Sequence, residues 1–487
     1  MSNLIQLSLL KTSSYINGQW QEGKAELAVV NPANEHTIAY IVNAGITETE
    51  QAVLAAQRAL PAWRTKSATE RDKLMRRWFE LIMENQDELA LILTLEQGKP
   101  LAEAKGEIAY GAAFIEWFAE EGKRIYGDVI PPPSPDKRIL VIKQPVGVVA
   151  AITPWNFPNA MIARKAAAAL AAGCTFVVRP ATQTPLSALA MAELAERAGI
   201  PAGVFNVVVG ADARGMGKVL TQHPAIAKFT FTGSTEVGKT LIAQCATTVK
   251  KVSMELGGNA PFIVFDDADV DAAVIGAMAS KYRNAGQTCV CTNRIFVQDG
   301  VYAAFCEKFI AAVKQLKVAD GLSDGSQIGP LINRHALDDV HKLVTESVQQ
   351  GAKIALGGKV HSAGQNFYAP TIMTHVTNDM AIAKNEIFGP VSPIIRFSDE
   401  AEVIAQANDT AVGLAAYFYS RDIGRIFRVA EALEYGMIGI NESLISNAAA
   451  PFGGVKQSGN GREGSHYGLD DYLEIKYLCL GGIGAKS

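Results

Sequence analysis

Short apolar runs alternate with stretches of helical periodicity from about residue 145 onward. Phe176-Val-Val is typical of a buried strand, and Leu186 to Ala198, rich in Ala, Leu and Glu, predicts the helix after it. Thr184-Pro185 marks the start of that helix as N-cap and first-turn proline, and Gly199-Ile-Pro201 marks its end. The same alternation predicts strands at Val146 to Ile152, Val204 to Val209, Lys228 to Phe231 and Val252 to Leu256, and helices at Met216 to Gln222 and Ser234 to Ala246. Strands joined by helical crossovers predict an α/β fold with a doubly wound parallel sheet that binds a nucleotide.

The alternation restarts after Gly257-Gly258. Pro261 to Phe265 predicts a strand, Asp269 caps a helix that runs to about Arg283, and Arg294 to Val297 predicts another strand. A second α/β domain therefore begins there.

Segments outside these two blocks have different patterns. The first 120 residues contain helical stretches that we expect to pack on the first sheet: Glu48 to Leu60, Glu70 to Gln97 and Glu103 to Glu121. Lys137 to Gln144 and Tyr472 to Leu480 are strand-like and lie outside both α/β blocks. Exposed β-segments often pair subunits, so we expect a homo-oligomer, either a dimer or a tetramer.

Composition narrows the class of protein. The chain has 487 residues, of which 48% are hydrophobic and 19% charged, values that exclude a disordered chain. The longest apolar runs, such as Ala166 to Ala172, are far shorter than the roughly 18 residues of a membrane span. The net charge of -4 gives no positive field for nucleic acid or an anionic membrane, so neither is expected as a partner. The N-terminus has no basic region or cleavage site and the six cysteines form no disulfide framework, which favours the cytoplasm.

A polar, glycine-containing loop carries the first candidate for chemistry. Gly286-Gln-Thr-Cys289-Val-Cys291 follows a predicted helix, where a thiol could act as a nucleophile; a buried, inert cysteine is equally compatible with this segment. A cysteine hydrolase needs a histidine base, yet no His lies between residues 223 and 335. Two cysteines one residue apart, without a second Cys/His pair, do not predict a metal site.

Three more motifs suggest a site but are weak individually. Glu255 ends an apolar strand before a Gly-Gly turn, where partial desolvation would raise its pKa toward that of a general base. Phe231-Thr-Gly233-Ser-Thr-Glu-Val-Gly238 combines a strand, a glycine turn and a helix start, which suits a pyrophosphate. Thr153-Pro-Trp155-Asn156-Phe-Pro158 follows a strand, and its amide and indole are equally compatible with packing.

Taken together, these motifs resemble the aldehyde dehydrogenase superfamily over essentially the whole chain, and within it the succinate-semialdehyde dehydrogenases. The stretches that carry the resemblance are Leu95 to Gly106, Phe114 to Gly127, Pro154 to Pro158, Phe231 to Gly238, Glu255 to Asn259, Arg283 to Cys291, Glu386 to Pro390, Pro451 to Gly454 and Gly461 to Gly464. The resemblance implies a dinucleotide-binding domain at 1–122 and 146–256, a catalytic domain at 257–450, and a small β oligomerisation element at 123–145 with the C-terminal strand segment 451–487.

The resemblance also implies roles for individual residues. Cys289 would attack an aldehyde, Asn156 and the Cys289 backbone N–H would hold the oxyanion, and Glu255 would activate the water that hydrolyses the thioester. This mechanism needs no histidine near the thiol. The residues implied in binding NADP or NAD are Thr153, Trp155, Arg179, Thr182, Gly233, Ser234, Gly238, Leu256, Glu386 and Phe388.

The implied substrate is a small semialdehyde. Arg164, Arg283 and Ser446 would receive its far carboxylate, for which Arg supplies a suitable planar fork, unless these arginines form ordinary surface or interstrand ion pairs. Succinate semialdehyde is the first expectation. Glutarate semialdehyde, longer by one methylene, could enter the same pocket, since one methylene usually discriminates by about 1–3 kcal/mol. A broad-specificity dehydrogenase of neutral aldehydes and a non-catalytic binding protein with the same fold stay open as well.

The loop after Phe176-Val-Val bears on the choice of cofactor. Arg179-Pro-Ala-Thr182-Gln-Thr184 contains a cation and hydroxyls but no acid that would repel a 2′-phosphate. We therefore expect NADP to be used at least as well as NAD; if Arg179 only contacts the ribose hydroxyls, both cofactors serve. Cys291 is a further candidate, because it could form a reducible disulfide with Cys289 under oxidants, although an inert neighbour is equally compatible.

Overall fold

The computed structural model describes residues 7–483, so the outer ends of the predicted domain segments 1–122 and 451–487 lie outside the described residues. Strands of the first half of the chain are β1 Tyr15–Ile16, β2 Gln19–Trp20, β3 Ala25–Val30, β4 Thr37–Val42, β5 Asp128–Ile130, β6 Arg138–Pro145, β7 Val148–Ile152, β8 Thr175–Arg179, β9 Phe205–Val207, β10 Ile226–Thr232 and β11 Lys251–Glu255. Helices of this half are α1 Ile46–Arg64, α2 Ala68–Glu84, α3 Gln86–Gln97, α4 Leu101–Glu121, α5 Ala160–Ala172, α6 Pro185–Arg197, α7 Ala213–Gln222 and α8 Thr235–Cys245.

The second half continues the alternation of strands and helices. Its strands are β12 Ala260–Val264, β13 Thr292–Gln298, β14 Lys353–Leu356, β15 Thr371–Val376, β16 Val391–Phe397, β17 Val412–Gly413, β18 Ala415–Tyr419, β19 Met437–Ile440, β20 Val455–Lys456, β21 Gly459–Asn460 and β22 Leu473–Leu480. Its helices are α9 Val270–Tyr282, α10 Tyr302–Val313, α11 Arg334–Gln349, α12 Ala381–Lys384, α13 Glu400–Asn408 and α14 Ile423–Ala432. None of the helices within residues 7–483 is long and apolar enough to cross a membrane.

The first sheet has the strand order β2-β1-β9-β8-β7-β10-β11-β21. Its five central strands, β9, β8, β7, β10 and β11, run parallel. Chain order reverses between β7 and β10, which are neighbours in the sheet although β8 and β9 lie between them in sequence. Such a reversal opens a crevice at the carboxyl ends of the strands, where doubly wound sheets bind their ligands. The predicted α/β class with a doubly wound sheet is confirmed.

The second sheet has the order β14-β15-β16-β13-β12-β18-β19, parallel except for the edge strand β14. Its central strands β12, β13 and β16 are buried and rich in Val, Ile and Phe, as expected for a sheet covered on both faces. This sheet is the predicted second α/β unit. The exact domain boundaries stay a prediction, and β21 from the C-terminal segment adds an antiparallel edge to the first sheet.

Helix α5 is buried along its whole length between α4 and the first sheet. Most of its residues are alanine, which explains the close packing, since small side chains let neighbouring backbones approach. Two charged residues, Arg164 and Lys165, nevertheless lie within this buried helix. Buried cations require partners, so each of the two needs an acceptor or a counter-ion inside the protein.

Two local predictions differ from the structure, and one structural element has no counterpart among the predictions. The stretch Glu70 to Gln97 is two helices, because Asn85 leaves helical geometry between α2 and α3. The hairpin of β3 and β4 was not predicted. Thr184 precedes α6 as predicted, but its side chain does not cap the helix: the Glu96 carboxylate accepts the N–H groups of Leu186 and Ser187 at 2.7 and 2.8 Å. A carboxylate that is distant in the sequence thus caps the helix in place of the Thr184 side chain.

A third sheet joins the two strand-like segments outside the α/β blocks. Its order is β22-β6-β5, and β22 pairs with β6 over its full length in antiparallel register. The two segments predicted as pairing elements therefore first pair with each other.

Candidate active site

A cavity of about 260 Å³ lies at the carboxyl ends of the first sheet, between it and the second sheet. Side chains from the first sheet, from α4 and α5 and from loops of the second α/β unit surround it. The lining includes the predicted site residues Trp155, Asn156, Arg164, Gly233, Ser234, Glu255, Leu256, Arg283, Cys289, Glu386, Phe388 and Ser446. Residues that the sequence places far apart thus share one cavity.

The loop that carries Cys289 is held in an unusual backbone conformation. Asn284, Ala285 and Gly286 all have positive φ, at 51°, 55° and 77°. A Cβ atom on Gly286 would lie 2.2 Å from the Gly389 carbonyl oxygen, so only glycine fits there. The Gln287 side chain donates to the Asn284 carbonyl at 3.1 Å and fixes the turn. The turn delivers Cys289 to the cavity.

Gly258 makes the closest approach to the nucleophile candidate. A Cβ atom at Gly258 would lie 2.4 Å from the Cys289 carbonyl oxygen, shorter than any allowed contact. The Gly-Gly turn after β11 is therefore required by the packing of the cysteine loop. This close approach also brings Glu255, three residues earlier, to the same cavity.

Cys289 is partly exposed to the cavity, and its surroundings disfavour the thiolate. Burial raises the pKa of the Cys289 thiol to about 12, with Glu386 and Glu255 adding to the rise, while Arg164 and Arg283 oppose it. The resting group is thus a neutral thiol at pH 7. The nucleophilic form is the thiolate, so the reaction requires a base or a bound cation that promotes ionisation of the thiol.

Asn156 follows β7 and is locked by contacts with the cysteine loop. Its side-chain amide donates to the Gln287 carbonyl at 2.9 Å. Its backbone carbonyl accepts from Lys99 Nζ at 2.7 Å, and Lys99 forms a fully buried ion pair with Glu107 at 2.6 Å. The amide thus keeps a fixed orientation beside Cys289 and retains a second N–H for a ligand.

Glu255 is the last residue of β11 and is only 4% exposed. Its Oε2 has no hydrogen-bond partner among the described residues. Burial raises the pKa of Glu255 well above its ordinary value, and the nearby Glu463 carboxylate raises it further. A carboxylate whose pKa is raised is a stronger base than an exposed one, as suits a general base.

Glu463 is a buried residue of the site to which sequence reasoning gave no role. Its carboxylate forms ion pairs with Arg164 and Lys165, the two cations of α5. The Arg-Lys pair inside an alanine-rich helix could have indicated such a residue, because two buried cations require a buried counter-ion. The sequence does not say which of its acids supplies that charge.

The remaining predicted cofactor residues lie around the crevice at the strand ends. Glu386 accepts from the Gly258 backbone N–H at 3.1 Å, and burial raises the pKa of Glu386 to about 7. The Trp155 and Phe388 rings meet edge to face, with centroids 5.5 Å apart. Leu256 packs on Gly238 of α8, where a Cβ atom would lie 2.5 Å from a Leu256 methyl group.

Arg179 and Thr182 lie at the end of β8, apart from the lining of the Cys289 cavity. The Arg179 guanidinium donates to the Thr182 hydroxyl at 2.9 Å and to the Gly210 carbonyl at 3.1 Å. Arg179 Nε has no hydrogen-bond partner among the described residues, and neither has the Thr153 or Thr232 hydroxyl. These unpaired polar atoms lie at the ends of the neighbouring parallel strands β8, β7 and β10, beside the N-terminus of α8. Their arrangement fits a dinucleotide that lies across the ends of the strands.

Cys291 is buried and directed away from solvent. Its thiol lies 3.4 Å from the Lys281 carbonyl oxygen, and all cysteines in the described part of the chain are free thiols. The disulfide between Cys289 and Cys291 stays a prediction. Within residues 7–483, no group of three or more His, Cys, Asp or Glu side chains is arranged to hold a metal ion.

Comparison with known proteins assigns the family. A family model described as the aldehyde dehydrogenase family matches residues 20–478. The chain belongs to the aldehyde dehydrogenase family. The predicted resemblance is confirmed, and the protein is an oxidoreductase of a family that oxidises aldehydes with NAD or NADP.

Curated relatives of this aldehyde dehydrogenase match it over nearly their whole length. A glutarate-semialdehyde dehydrogenase of Pseudomonas aeruginosa is 61% identical, covering 98% of this chain and 99% of the relative. A succinate-semialdehyde dehydrogenase of Escherichia coli K12, named for NADP(+), is also 61% identical, covering 97% and 98%. A 3-sulfolactaldehyde dehydrogenase of Pseudomonas putida is 59% identical, covering 99% and 100%.

A solved structure matches the aldehyde dehydrogenase fold. The crystal structure of an Escherichia coli NADP-dependent enzyme superposes with a TM-score of 0.96 at 60% identity and covers 99% of each chain. The relatives thus agree on aldehyde oxidation but differ in the aldehyde that their names give.

Proposed function

We propose that this aldehyde dehydrogenase oxidises a short semialdehyde with a terminal carboxylate, first of all succinate semialdehyde, and uses NADP at least as well as NAD. The observation that carries the proposal is that Arg164, Arg283 and Ser446 line the same cavity as Cys289. A cavity with a thiol and two guanidinium groups suits a substrate with an aldehyde at one end and an anion at the other.

The reaction begins at Cys289. The thiol passes its proton to water in the cavity and so to solvent, and its sulfur bonds to the aldehyde carbon, which turns the carbonyl oxygen into an oxyanion. The Asn156 side-chain amide and the Cys289 backbone N–H donate to that oxyanion. Because Asn156 is already held by Gln287 and Lys99, its amide needs little reorganisation as the charge develops.

The second half of the reaction belongs to Glu255. When bound, the nicotinamide ring supplies the acceptor for the hydride, and an acyl group is left on the cysteine sulfur. Glu255 takes a proton from a water molecule, the hydroxide attacks the thioester carbon, and the C–S bond breaks to release the acid and the thiolate. Its unpaired Oε2 is available to accept the water proton.

The dinucleotide would be held along the crevice at the strand ends. Glu386 would bind the nicotinamide ribose, and Ser234, with Gly233, Gly238 and the first turn of α8, would face the pyrophosphate. Trp155, Leu256, Phe388 and the Thr153 hydroxyl would border it. Arg179 and Thr182 would face the adenosine ribose, where the absence of a carboxylate leaves room for a 2′-phosphate.

Glutarate semialdehyde is the second candidate substrate. A relative named for it has the same 61% identity as the relative named for succinate semialdehyde, and one methylene is poorly discriminated in such a pocket. Both candidates share the anion subsite and differ only in the length of the chain between the two ends.

A spectrophotometric assay at about 340 nm tests the proposal. Succinate semialdehyde, glutarate semialdehyde and hexanal are each combined with NADP and with NAD. We expect the highest kcat/KM for one of the two semialdehydes with NADP, and no turnover by Cys289→Ala, which should still bind NADP in a titration. A preference for hexanal, or turnover by Cys289→Ala, contradicts the proposal.

A further inference from the structure

The two arginines of the cavity have different surroundings. Arg164 is fully buried, and its Nε pairs with the Glu463 carboxylate. Its guanidinium lies 4.0 Å over the Phe452 ring, and its Nη1 donates to the Tyr110 hydroxyl at 3.4 Å. Its Nη2 and Nε, both buried, make no hydrogen bond with the described residues, so Nε is held beside Glu463 as an ion pair only. Arg164 is therefore fixed on three sides, with one donor group left for a ligand.

Arg283 has no such partner. It is partly exposed, and its guanidinium lies 5.3 Å from the Phe157 ring. No carboxylate of residues 7–483 lies within 4.0 Å of it, since every ion pair at that distance involves other cations. Arg283 thus has no carboxylate at contact distance, whereas Arg164 shares the Glu463 carboxylate with Lys165.

From these contacts we propose that Glu463 and Tyr110 are positioning residues of the anion subsite, which fix Arg164 as a hydrogen-bond donor, while Arg283 supplies the charge that selects an anionic substrate. The inference rests on the proposed function and deepens it. The two arginines then contribute differently: Arg164 through the direction of its Nη groups, and Arg283 through the Coulomb attraction of a free cation.

Lysine substitutions separate the two contributions. Lys keeps the positive charge but lacks the planar fork of Arg. At position 283 charge alone suffices, so Arg283→Lys should keep the preference for succinate semialdehyde over hexanal, measured as a ratio of kcat/KM values, within about threefold. At position 164 the fork is needed, so Arg164→Lys should lower the same ratio roughly tenfold or more. Arg283→Gln, which removes the charge, should lower it by about 10- to 100-fold.

Two further variants test the positioning residues. Tyr110→Phe keeps the ring that packs edge to face on Phe114 and removes only the hydroxyl that contacts Arg164. It should raise KM for succinate semialdehyde severalfold with little change in kcat, a split that a general loss of stability would not produce. Glu463→Gln removes the carboxylate that faces Arg164. The double variant Glu463→Gln/Arg283→Gln should therefore regain part of the preference for succinate semialdehyde over hexanal that Arg283→Gln loses.

The experiment measures kcat and KM of the full-length wild type and these variants for succinate semialdehyde and hexanal with NADP. Selective loss in Arg164→Lys but not in Arg283→Lys supports the division of roles, as does rescue by Glu463→Gln. The division of roles is overturned if the two lysine variants lose the same preference for succinate semialdehyde. It is also overturned if the Glu463→Gln/Arg283→Gln variant shows no higher preference than Arg283→Gln. A wild type without preference for the semialdehyde overturns the proposed function and with it the subsite.

Discussion

At the scale of single residues, Glu255 shows how the surroundings of a side chain set its chemistry. An exposed carboxyl group is ionised at pH 7 and is a weak base. Burial and the neighbouring Glu463 raise the pKa of Glu255 well above its ordinary value, which strengthens it as a base. The ionised form is the one that accepts a proton from water, so activity at the second step must increase as pH rises through this raised pKa.

A substitution tests this role of Glu255. Glu255→Gln keeps the size of the side chain but cannot take a proton, so the acyl group should accumulate on Cys289. We expect a burst of about one reduced cofactor per active site, followed by slow turnover. The increase of kcat with pH that we expect for the wild type should be absent in this variant. Stopped-flow absorbance and a pH series check both points, and wild-type steady-state rates in the variant would exclude Glu255 as the base.

Thr182 is the residue at which the choice of cofactor can be tested. Its hydroxyl accepts from Arg179 at the end of β8, where a carboxylate would repel a 2′-phosphate. Thr182→Glu should lower the ratio of kcat/KM for NADP to that for NAD by about tenfold or more. Thr182→Gln, similar in size but uncharged, should change the ratio much less. Similar effects of both variants would mean that size, and not charge, matters there.

At the scale of elements, the turn between β11 and β12 holds the site together. A Cβ atom at Gly258 would lie 2.4 Å from the Cys289 carbonyl oxygen, so Gly258→Ala must move the cysteine loop. We expect kcat to fall by a factor of about 100 or more, because small misplacements of a nucleophile are costly. Far-UV circular dichroism should remain that of the wild type.

Gly106 in α4 provides the matched control, because a Cβ atom there would have no neighbour within 4 Å. Gly106→Ala should raise the free energy of unfolding by about 0.5–1 kcal/mol through the better helix propensity of alanine. Denaturant unfolding checks the change. Equal activity losses in the two glycine variants would show that the effect at Gly258 is not one of close approach.

At the scale of the whole molecule, the sheet of β22, β6 and β5 leaves apolar side chains exposed. Ile475 and Tyr477 are 73% and 60% exposed and share a face with Val141, Ile139 and Ile130. Exposed apolar patches of this kind mark interfaces between proteins. We propose that a second copy of the chain covers this face, in keeping with the predicted homo-oligomer.

Charge on this face should separate the copies. Ile475→Glu combined with Tyr477→Glu should shift the molar mass, measured by light scattering after size-exclusion chromatography, toward the 52.0 kDa of one chain. Lys476→Glu, on the opposite face of the same strand, is the control and should keep the wild-type mass. A wild type that is monomeric, or a double variant with unchanged mass, contradicts the proposed interface.

Local patterns in the sequence are sufficient to predict most of the α/β architecture, whereas the reactive groups are predicted only through the family resemblance. Short apolar runs predict the strands from β7 to β13, and helical periodicity predicts α6 to α9, because both patterns depend on neighbouring residues in the sequence; α5 was not predicted. The roles of Asn156, Glu255 and Cys289 are implied by the family resemblance that the motifs carry together, because each motif alone is equally compatible with packing or a solvated loop. The break at Asn85 and the cap of α6 by Glu96 escape such patterns, since each depends on contacts outside the local segment.

Which charges face one another is fixed only when the chain folds. Lys165 and Glu463 are 298 residues apart in the chain, yet their ion pair, shared with Arg164, lies inside the protein. No local pattern could show that Arg164 lies against a carboxylate and Arg283 does not, although both are arginines in predicted site segments. The reason is physical: the free energy of a buried charge depends on the groups within a few ångströms, and folding, not sequence spacing, selects those groups.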